Sequence, residues 1–335
     1  MNWRKSIQNL FLAIGIVALV AMCHSLGFQE IIAQIKQTGL WLVPILGVWA
    51  AGYVLNTVSY KLIIDTPEKS KVPFIILYKI TVSTFAINNA TPMGLAGGEP
   101  YKIMAMSPLI GKKKAASSVI LFSMMHFTAH FIFWMLSALL AVFLIPMDCT
   151  LAAVLTATFA ICLTLTIITF KGQQSGMISK TLKLLQKMPL IRKPVARIAE
   201  ERRETIETID EQIASLHKHS KTRFYITLAN ELAARVLNCA EIHFMLLAFG
   251  GEPDFADSII IMAFVSLFTN ILFFSPMQIG TREASFILIF KILALNPVWA
   301  MSVSFITRIR EIFWIFIGVV LMKVKDGKAE ERQSP

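Results

Sequence analysis

Five charged residues lie at predicted membrane depth, within or beside the long apolar stretches of the sequence, and they are its best candidates for binding a ligand. They are Glu99, Arg282, Glu283, Arg308 and Glu311. A charge at the centre of a bilayer costs about 2.5–3.5 kcal/mol, so such residues are paired, hydrated or functional. An arginine fork fits phosphate oxygens, whereas a carboxylate accepts hydrogen bonds. The set favours binding of an anionic or phosphate-containing headgroup, with a structural ion pair from Arg308 to Glu283 or Glu311 as the alternative.

Other ionisable residues in apolar stretches are secondary candidates. Glu231, Arg235 and Glu241 share one predicted span. Glu231 and Arg235 are one helical turn apart, so the alternative to a ligand role is that they pair with each other. His126 and His130 are also one turn apart, but no carboxylate or cysteine stands at supporting spacing. Interhelical hydrogen bonding is therefore expected for these histidines, and neither a metal nor another cofactor is predicted.

Two polar segments rich in proline and glycine interrupt the apolar sequence. They run from Asn88 to Pro100 and from Ser275 to Glu283. Unpartnered backbone groups are costly in lipid, so each segment must line protein or water. The surrounding apolar stretches are too short for two full crossings, which predicts a re-entrant helical hairpin at each segment. The residues expected to shape these hairpins are Pro92, Gly94, Gly97, Gly98, Pro100, Pro276 and Gly280, with Asn88 and Asn89 as further secondary candidates.

The two polar segments align with each other without a gap. An offset of 184 positions separates Pro92 from Pro276 and Glu99 from Glu283, which predicts an internal repeat. Basic loops flank the first hairpin, whereas acidic or neutral loops flank the second. The hairpins are therefore expected to open to opposite faces, which makes the repeat inverted. Both glutamates would lie near the hairpin tips, where the alternative role is to satisfy unpaired backbone amides.

The composition excludes a soluble globular protein. Of 335 residues, 56% are hydrophobic and 16% are charged, and the mean hydropathy is +0.64. Apolar runs of about 20 residues, the length that crosses a bilayer, recur along the chain. The predicted fold is an all-α polytopic membrane protein, an inverted repeat with about six full spans plus two re-entrant helical hairpins.

Three parts are predicted along the chain. Residues 1–170 form the N-terminal membrane half with the first hairpin over 73–112. Residues 171–222 form a cytoplasmic basic amphipathic insertion, and 223–335 form the C-terminal half with the second hairpin over 258–296. The formal charge of +11 follows from basic cytoplasmic loops, which puts both termini in the cytoplasm. No nucleic-acid recognition module is seen, and the insertion is a candidate site for a protein partner or a membrane surface.

The motifs in the two polar segments resemble the lysylphosphatidylglycerol synthase transmembrane-region, or flippase-like, family of membrane proteins. In the first half the motif reads Thr91-Pro92-x-Gly94-x-x-Gly97-Gly98-Glu99-Pro100. In the second half it reads Pro276-x-x-x-Gly280-x-Arg282-Glu283, followed by an Ala-x-Ser-Val step and Arg308. The sequence departs from the family at Met124, where a basic residue is frequent, and at Gln278, where glycine is expected.

This resemblance implies a lipid translocase domain, similar to the domain that moves aminoacylated phosphatidylglycerol to the outer leaflet in bifunctional proteins. The predicted function is a lipid flippase or transporter of the bacterial cytoplasmic membrane, with its partner, a phospholipid or lipid-linked intermediate, bound between the hairpins. An integral membrane enzyme that modifies a phospholipid or a polyprenyl-linked glycolipid is the alternative. A scaffold that does not transport is a third hypothesis.

Overall fold

A computed structural model of the chain shows a helical protein. It describes residues 27–65, 72–91, 98–174, 221–272 and 280–323, with isolated positions within 13–24 and 179–211 and at 278. These residues contain no strand, which confirms the predicted all-α class. Several predictions fall outside the described residues, namely most of the first span, most of the insertion and the hairpin-shaping Pro92, Gly94, Gly97 and Pro276.

The described residues form ten continuous α-helices. In chain order they are α1 (Phe28–Thr38), α2 (Leu42–Ile64), α3 (Phe74–Ala90), α4 (Gly98–Ile110), α5 (Lys112–Leu144), α6 (Cys149–Gln174), α7 (Lys221–Ala248), α8 (Phe255–Ile271), α9 (Thr281–Ile292) and α10 (Pro297–Lys323). A 3-10 turn over Gly39–Trp41 joins α1 to α2. Gly111, with a φ of 84°, separates α4 from α5.

Within the described residues, three helical segments are long and apolar enough to cross a membrane. They are Phe28–Ile64, Lys112–Leu144 and Cys149–Gly172. Large apolar side chains face outward, as with Leu40 and Phe143, which are 89% and 82% exposed. Such a surface is unfavourable in water and favourable in lipid. The predicted count of six spans and the two re-entrant hairpins stay predictions.

Each polar segment separates two short helices that pack against each other. The first lies between α3 and α4, and the second between α8 and α9. The longest of these four helices has 17 residues. A helix of that length extends about 25 Å, which is less than the hydrocarbon thickness of about 30 Å. None of the four therefore spans the membrane alone when it lies along the bilayer normal.

The internal repeat recurs in the helix boundaries. An offset of 184 positions brings the starts of α3, α4 and α5 to within three residues of the starts of α8, α9 and α10. The two copies interlock, because α3 packs along α10 while α8 packs against α5. The helices that precede them, α2 and α7, pack along each other.

Close packing of α3 on α10 depends on small residues. A Cβ added at Gly318 would collide with the Cβ of Ala86, and the Gly318 carbonyl accepts a hydrogen bond from Ser83 Oγ at 3.0 Å. Small residues allow this close approach between helices, as is common in membrane proteins. The contact ties the first hairpin's α3 to the last helix of the other half.

Candidate functional site

A cavity of about 430 Å³, lined by apolar and by charged side chains, lies between the two halves. Helices α3, α4 and α5 line one side of it, and residues of α8, α9 and α10 together with Gln278 line the other. Five of the residues singled out from the sequence line this cavity, namely Asn88, Asn89, Glu99, Arg282 and Glu311. The structure therefore brings together side chains from both polar segments.

Asn88 connects the end of α3 to the start of α4. Its Oδ1 accepts a hydrogen bond from the Gly98 amide at 2.8 Å, and its Nδ2 donates to Glu99 Oε1 at 3.3 Å. The asparagine thus satisfies an amide at the beginning of a helix, where no intrahelical acceptor exists. A Cβ at Gly98 would lie 2.6 Å from Asn88 Oδ1, so this position requires glycine. Pro100 follows in the first turn of α4, where proline is tolerated.

Glu99 lines the cavity and has one oxygen that no described residue contacts by a hydrogen bond. Its Oε2 is buried and has no hydrogen-bond partner among the residues that the structure describes. Asn88, rather than Glu99, satisfies the Gly98 amide, so the alternative role of binding a backbone amide is not seen for this glutamate. A buried acceptor without a partner costs free energy, which makes it a candidate contact for a ligand donor.

Glu283, the equivalent glutamate of the second half, is fully engaged. Its Oε1 accepts hydrogen bonds from Arg308 Nε and Nη2 at 3.0 and 2.7 Å and from Ser304 Oγ at 3.1 Å. Its Oε2 accepts the Gly280 amide at 2.8 Å, at the beginning of α9. Both alternatives that the sequence left open for Glu283, the ion pair and the backbone contact, are present together.

Arg282 lies on the cavity wall and has its own carboxylate. Its Nη2 is 2.9 Å from Glu311 Oε1 and donates to Gln278 Oε1 at 2.6 Å. The Arg282 Nη1 atom is buried and has no partner in the described part of the chain. Arg308 bonds to Glu283 instead, so the two arginines are engaged with separate carboxylates.

Glu241 is buried in a separate network. It accepts hydrogen bonds from Trp49 Nε1 at 2.6 Å and from Arg310 Nε at 2.9 Å, while the Arg310 guanidinium stacks 3.9 Å from the Trp49 ring. Arg310 also lies 3.8 Å from Glu311. Glu241 is therefore a structural link between α2, α7 and α10 rather than a residue of the cavity.

Glu231 and Arg235, for which the sequence left a mutual pair as the alternative to a ligand role, are bridged by His126 of α5. Glu231 Oε2 is 2.7 Å from His126 Nδ1, and Arg235 Nη2 is 2.9 Å from His126 Nε2. Since a guanidinium only donates, Nε2 accepts and Nδ1 carries the proton that it donates to Glu231. Asn56 donates to both Glu231 oxygens at 3.0 Å. These are the interhelical hydrogen bonds expected for His126, which also lines the cavity with His130.

Lys102 is a cavity residue that the sequence reasoning missed. It lies on α4, is 2% exposed, and lines the same cavity as Glu99. The available signal was a lysine in the otherwise apolar run that follows the first polar segment, since ionisable residues at membrane depth are functional candidates. Among the described residues, no group of three histidines, cysteines or acidic residues is placed to hold a metal ion.

Residues 9–318 match the family described as the lysylphosphatidylglycerol synthase TM region. The chain belongs to this family. No curated protein matches the chain, and no solved structure does. Family membership and the membrane-length apolar helices make it a multi-pass membrane protein connected with lipid handling.

The two departures from the family pattern both fall next to the site. Met124 is buried on α5 at the position that corresponds by the 184-residue offset to Arg308. Gln278 has a φ of 54°, in the left-handed region where the expected glycine would be unstrained. Its side chain accepts hydrogen bonds from Arg282, which gives this strained residue a role in positioning the arginine.

Proposed function

We propose that this chain is a lipid flippase or lipid transporter of the bacterial cytoplasmic membrane that binds an anionic or phosphate-containing headgroup between its two halves. The cavity carries the proposal, because ionisable side chains of both halves line it. Glu99, Arg282 and Glu311 provide its charged walls, and the Glu283–Arg308 pair supports the start of α9 behind them.

The proposal includes an inverted topology with about six spans, two re-entrant hairpins and both termini in the cytoplasm. The short helices around each polar segment, the repeat offset and the opposite charges of the flanking loops support it. Broken helices in inverted repeats allow one site near the membrane midplane to open alternately to each face. A headgroup bound in this cavity would then be released on the opposite side.

Reconstitution tests the proposed transport. Vesicles containing the purified full chain and fluorescent phosphatidylglycerol are treated with a membrane-impermeant quencher. We expect the fraction of quenched lipid to rise beyond the outer-leaflet half that protein-free vesicles give. A fraction equal to that of protein-free vesicles, with energised and non-energised membranes alike, would overturn the proposal.

A matched pair of variants connects transport to the cavity. Ser123 lines the cavity on α5, whereas Ala153 is exposed on the lipid-facing α6. We expect Ser123→Trp to block lipid movement because the indole fills the cavity, and Ala153→Trp to leave it unchanged. Equal rates in the two variants would show that the lipid does not pass through this cavity.

A second candidate function is a membrane enzyme acting on a phospholipid or a polyprenyl-linked glycolipid. The observation in its favour is the Glu231–His126 pair at the cavity wall, since a carboxylate-oriented histidine is a common general base. Lipid mass spectrometry of a deletion strain separates the two functions. A lost or new lipid species supports chemistry, whereas altered leaflet exposure of unchanged lipids supports transport.

A further inference from the structure

Lys102 lines the cavity and has a buried ammonium group without a hydrogen-bond acceptor in the described part of the chain. Its Nζ has no hydrogen-bond partner among the described residues, although the side chain is 2% exposed. Two aromatic rings hold the ammonium, with Nζ 3.8 Å from the centre of the Tyr60 ring and 3.9 Å from that of Phe122. An aromatic face attracts a cation. It provides no oxygen or nitrogen acceptor, however, for the three hydrogen bonds that an ammonium group can donate.

No hydrogen-bonded ion pair holds this lysine among the described residues. Glu99 lines the same cavity, but the described residues include no ion pair between them, and Glu99 contacts Asn88 instead. Glu311 on the opposite wall is already paired with Arg282. A buried cation is stable only when it is paired and hydrogen-bonded, so an anion that enters the cavity would supply what the protein lacks.

The second half of the repeat provides a matching donor. Arg282 lines the cavity from α9, where hydrogen bonds to Gln278 Oε1 fix two of its nitrogens at 2.6 and 3.2 Å. Its Nη1 atom is buried and has no partner in the described residues. One half of the chain therefore contributes an unsatisfied ammonium, and the other an unsatisfied guanidinium N–H, on residues that line one cavity.

We propose that Lys102 and Arg282 together form a phosphate site, with one cation contributed by each half. The ligand is the phosphate of a lipid headgroup, because the cavity lies within a membrane protein whose surrounding helices are apolar. This assignment rests on the proposed lipid transport. The free Glu99 oxygen then accepts a hydrogen bond from a donor elsewhere in the same headgroup, since it would repel the phosphate itself.

Binding of two lipids that differ in the phosphate tests the site. The full chain in detergent is titrated with phosphatidylglycerol and with a galactosyl diacylglycerol of identical acyl chains, and bound lipid is measured by native mass spectrometry. We expect Lys102→Met to weaken phosphatidylglycerol binding by about tenfold or more and to leave the glycolipid unchanged, because only the phosphate needs the cation. Lys102→Arg is expected to retain most of the affinity.

Lys291→Met is the matched control, because Lys291 is exposed on α9 and does not line the cavity. Wild-type protein that binds both lipids equally would overturn the phosphate site and leave lipid transport standing. Failure of transport in vesicles despite preferential phosphatidylglycerol binding would overturn the transport function alone. If Lys102→Met does not fold, binding of phosphatidylglycerol and of the glycolipid by wild-type protein still decides whether the chain prefers a lipid with a phosphate.

Inorganic phosphate distinguishes a headgroup from a soluble anion. Its addition to the wild-type chain is expected to displace phosphatidylglycerol only weakly, because the lipid also gains from its acyl chains. Tight binding of inorganic phosphate that excludes phosphatidylglycerol would overturn the assignment to a lipid headgroup.

Discussion

The glutamates at equivalent positions of the two halves have different environments. Glu283 accepts hydrogen bonds from Arg308, Ser304 and the Gly280 amide, whereas Glu99 contacts Asn88 and keeps one oxygen without a described partner. Two of these partners have no equivalent in the first half, since the repeat has Met124 where the second half has Arg308 and Ile120 where it has Ser304. The repeat therefore preserves helix positions, while single substitutions decide which half is internally paired and which has free polar groups.

The same contrast holds where each hairpin begins its second helix. Gly98 starts α4 with no room for a side chain, and the equivalent position in α9 is Arg282, whose side chain reaches the cavity. The first half instead supplies Glu99 from the first turn of α4 and Lys102 from the next turn. An internal repeat can thus build one asymmetric site from two similar backbones.

The largest expected effect comes from neutralising the paired glutamate. Glu283→Gln should lower the free energy of unfolding by about 3–5 kcal/mol, because the buried Arg308 would lose its counter-charge. Glu99→Gln should change it by less than about 1 kcal/mol, since glutamine keeps an acceptor for Asn88. Denaturant unfolding of both purified variants in detergent measures the difference.

Removing the arginine as well checks the cause of that effect. The double variant Glu283→Gln with Arg308→Met leaves neither charge unpaired, so it should be more stable than Glu283→Gln alone. Equal losses for Glu99→Gln and Glu283→Gln would show that the two halves do not differ as their contacts indicate.

An intermediate effect is expected at Gly98, where the first half has no space for a side chain. Gly98→Ala should cost about 1–3 kcal/mol, because a Cβ would lie 2.5 Å from the Thr84 carbonyl oxygen and force α4 away from α3. Thermal unfolding measures the loss. Gly47→Ala on α2 is the matched control, since its Cβ would meet open space and alanine favours a helix by about 0.5–1 kcal/mol. A neutral Gly98→Ala variant would contradict the close packing of α3 and α4.

The smallest expected effect concerns the strained residue of the second hairpin, which corresponds by the offset to Gly94. Gln278→Ala and Gln278→Gly both remove the contact with Arg282, and they differ in the cost of a positive φ. The glycine variant should therefore be more stable by about 1 kcal/mol. At Ala284 in α9 the order should reverse, with glycine less stable than alanine. A more stable alanine variant at position 278 would contradict the left-handed conformation.

The bounds of these helices could be predicted closely from the length of the apolar runs and from the helix-breaking residues between them. The apolar run from Ala115 to Ile145 is the helix Lys112–Leu144, and the turn-forming Pro146-Met147-Asp148 separates it from Cys149–Gln174. The partners of the charged residues could not be predicted in the same way. Trp49 is 192 positions from Glu241, and helix periodicity gives no information about which side chains meet across that distance.

The sequence by itself determined the membrane character, the all-α class, the family and the repeat, because these depend on local hydropathy and on spacing along the chain. Only the tertiary structure decided which charges are paired. Interlocking of the halves places His126 between Glu231 and Arg235, pairs Arg308 with Glu283, and buries Lys102 beside the cavity without an acceptor. Burial and pairing depend on neighbours from distant helices, and those neighbours determine the electrostatic cost of each charge.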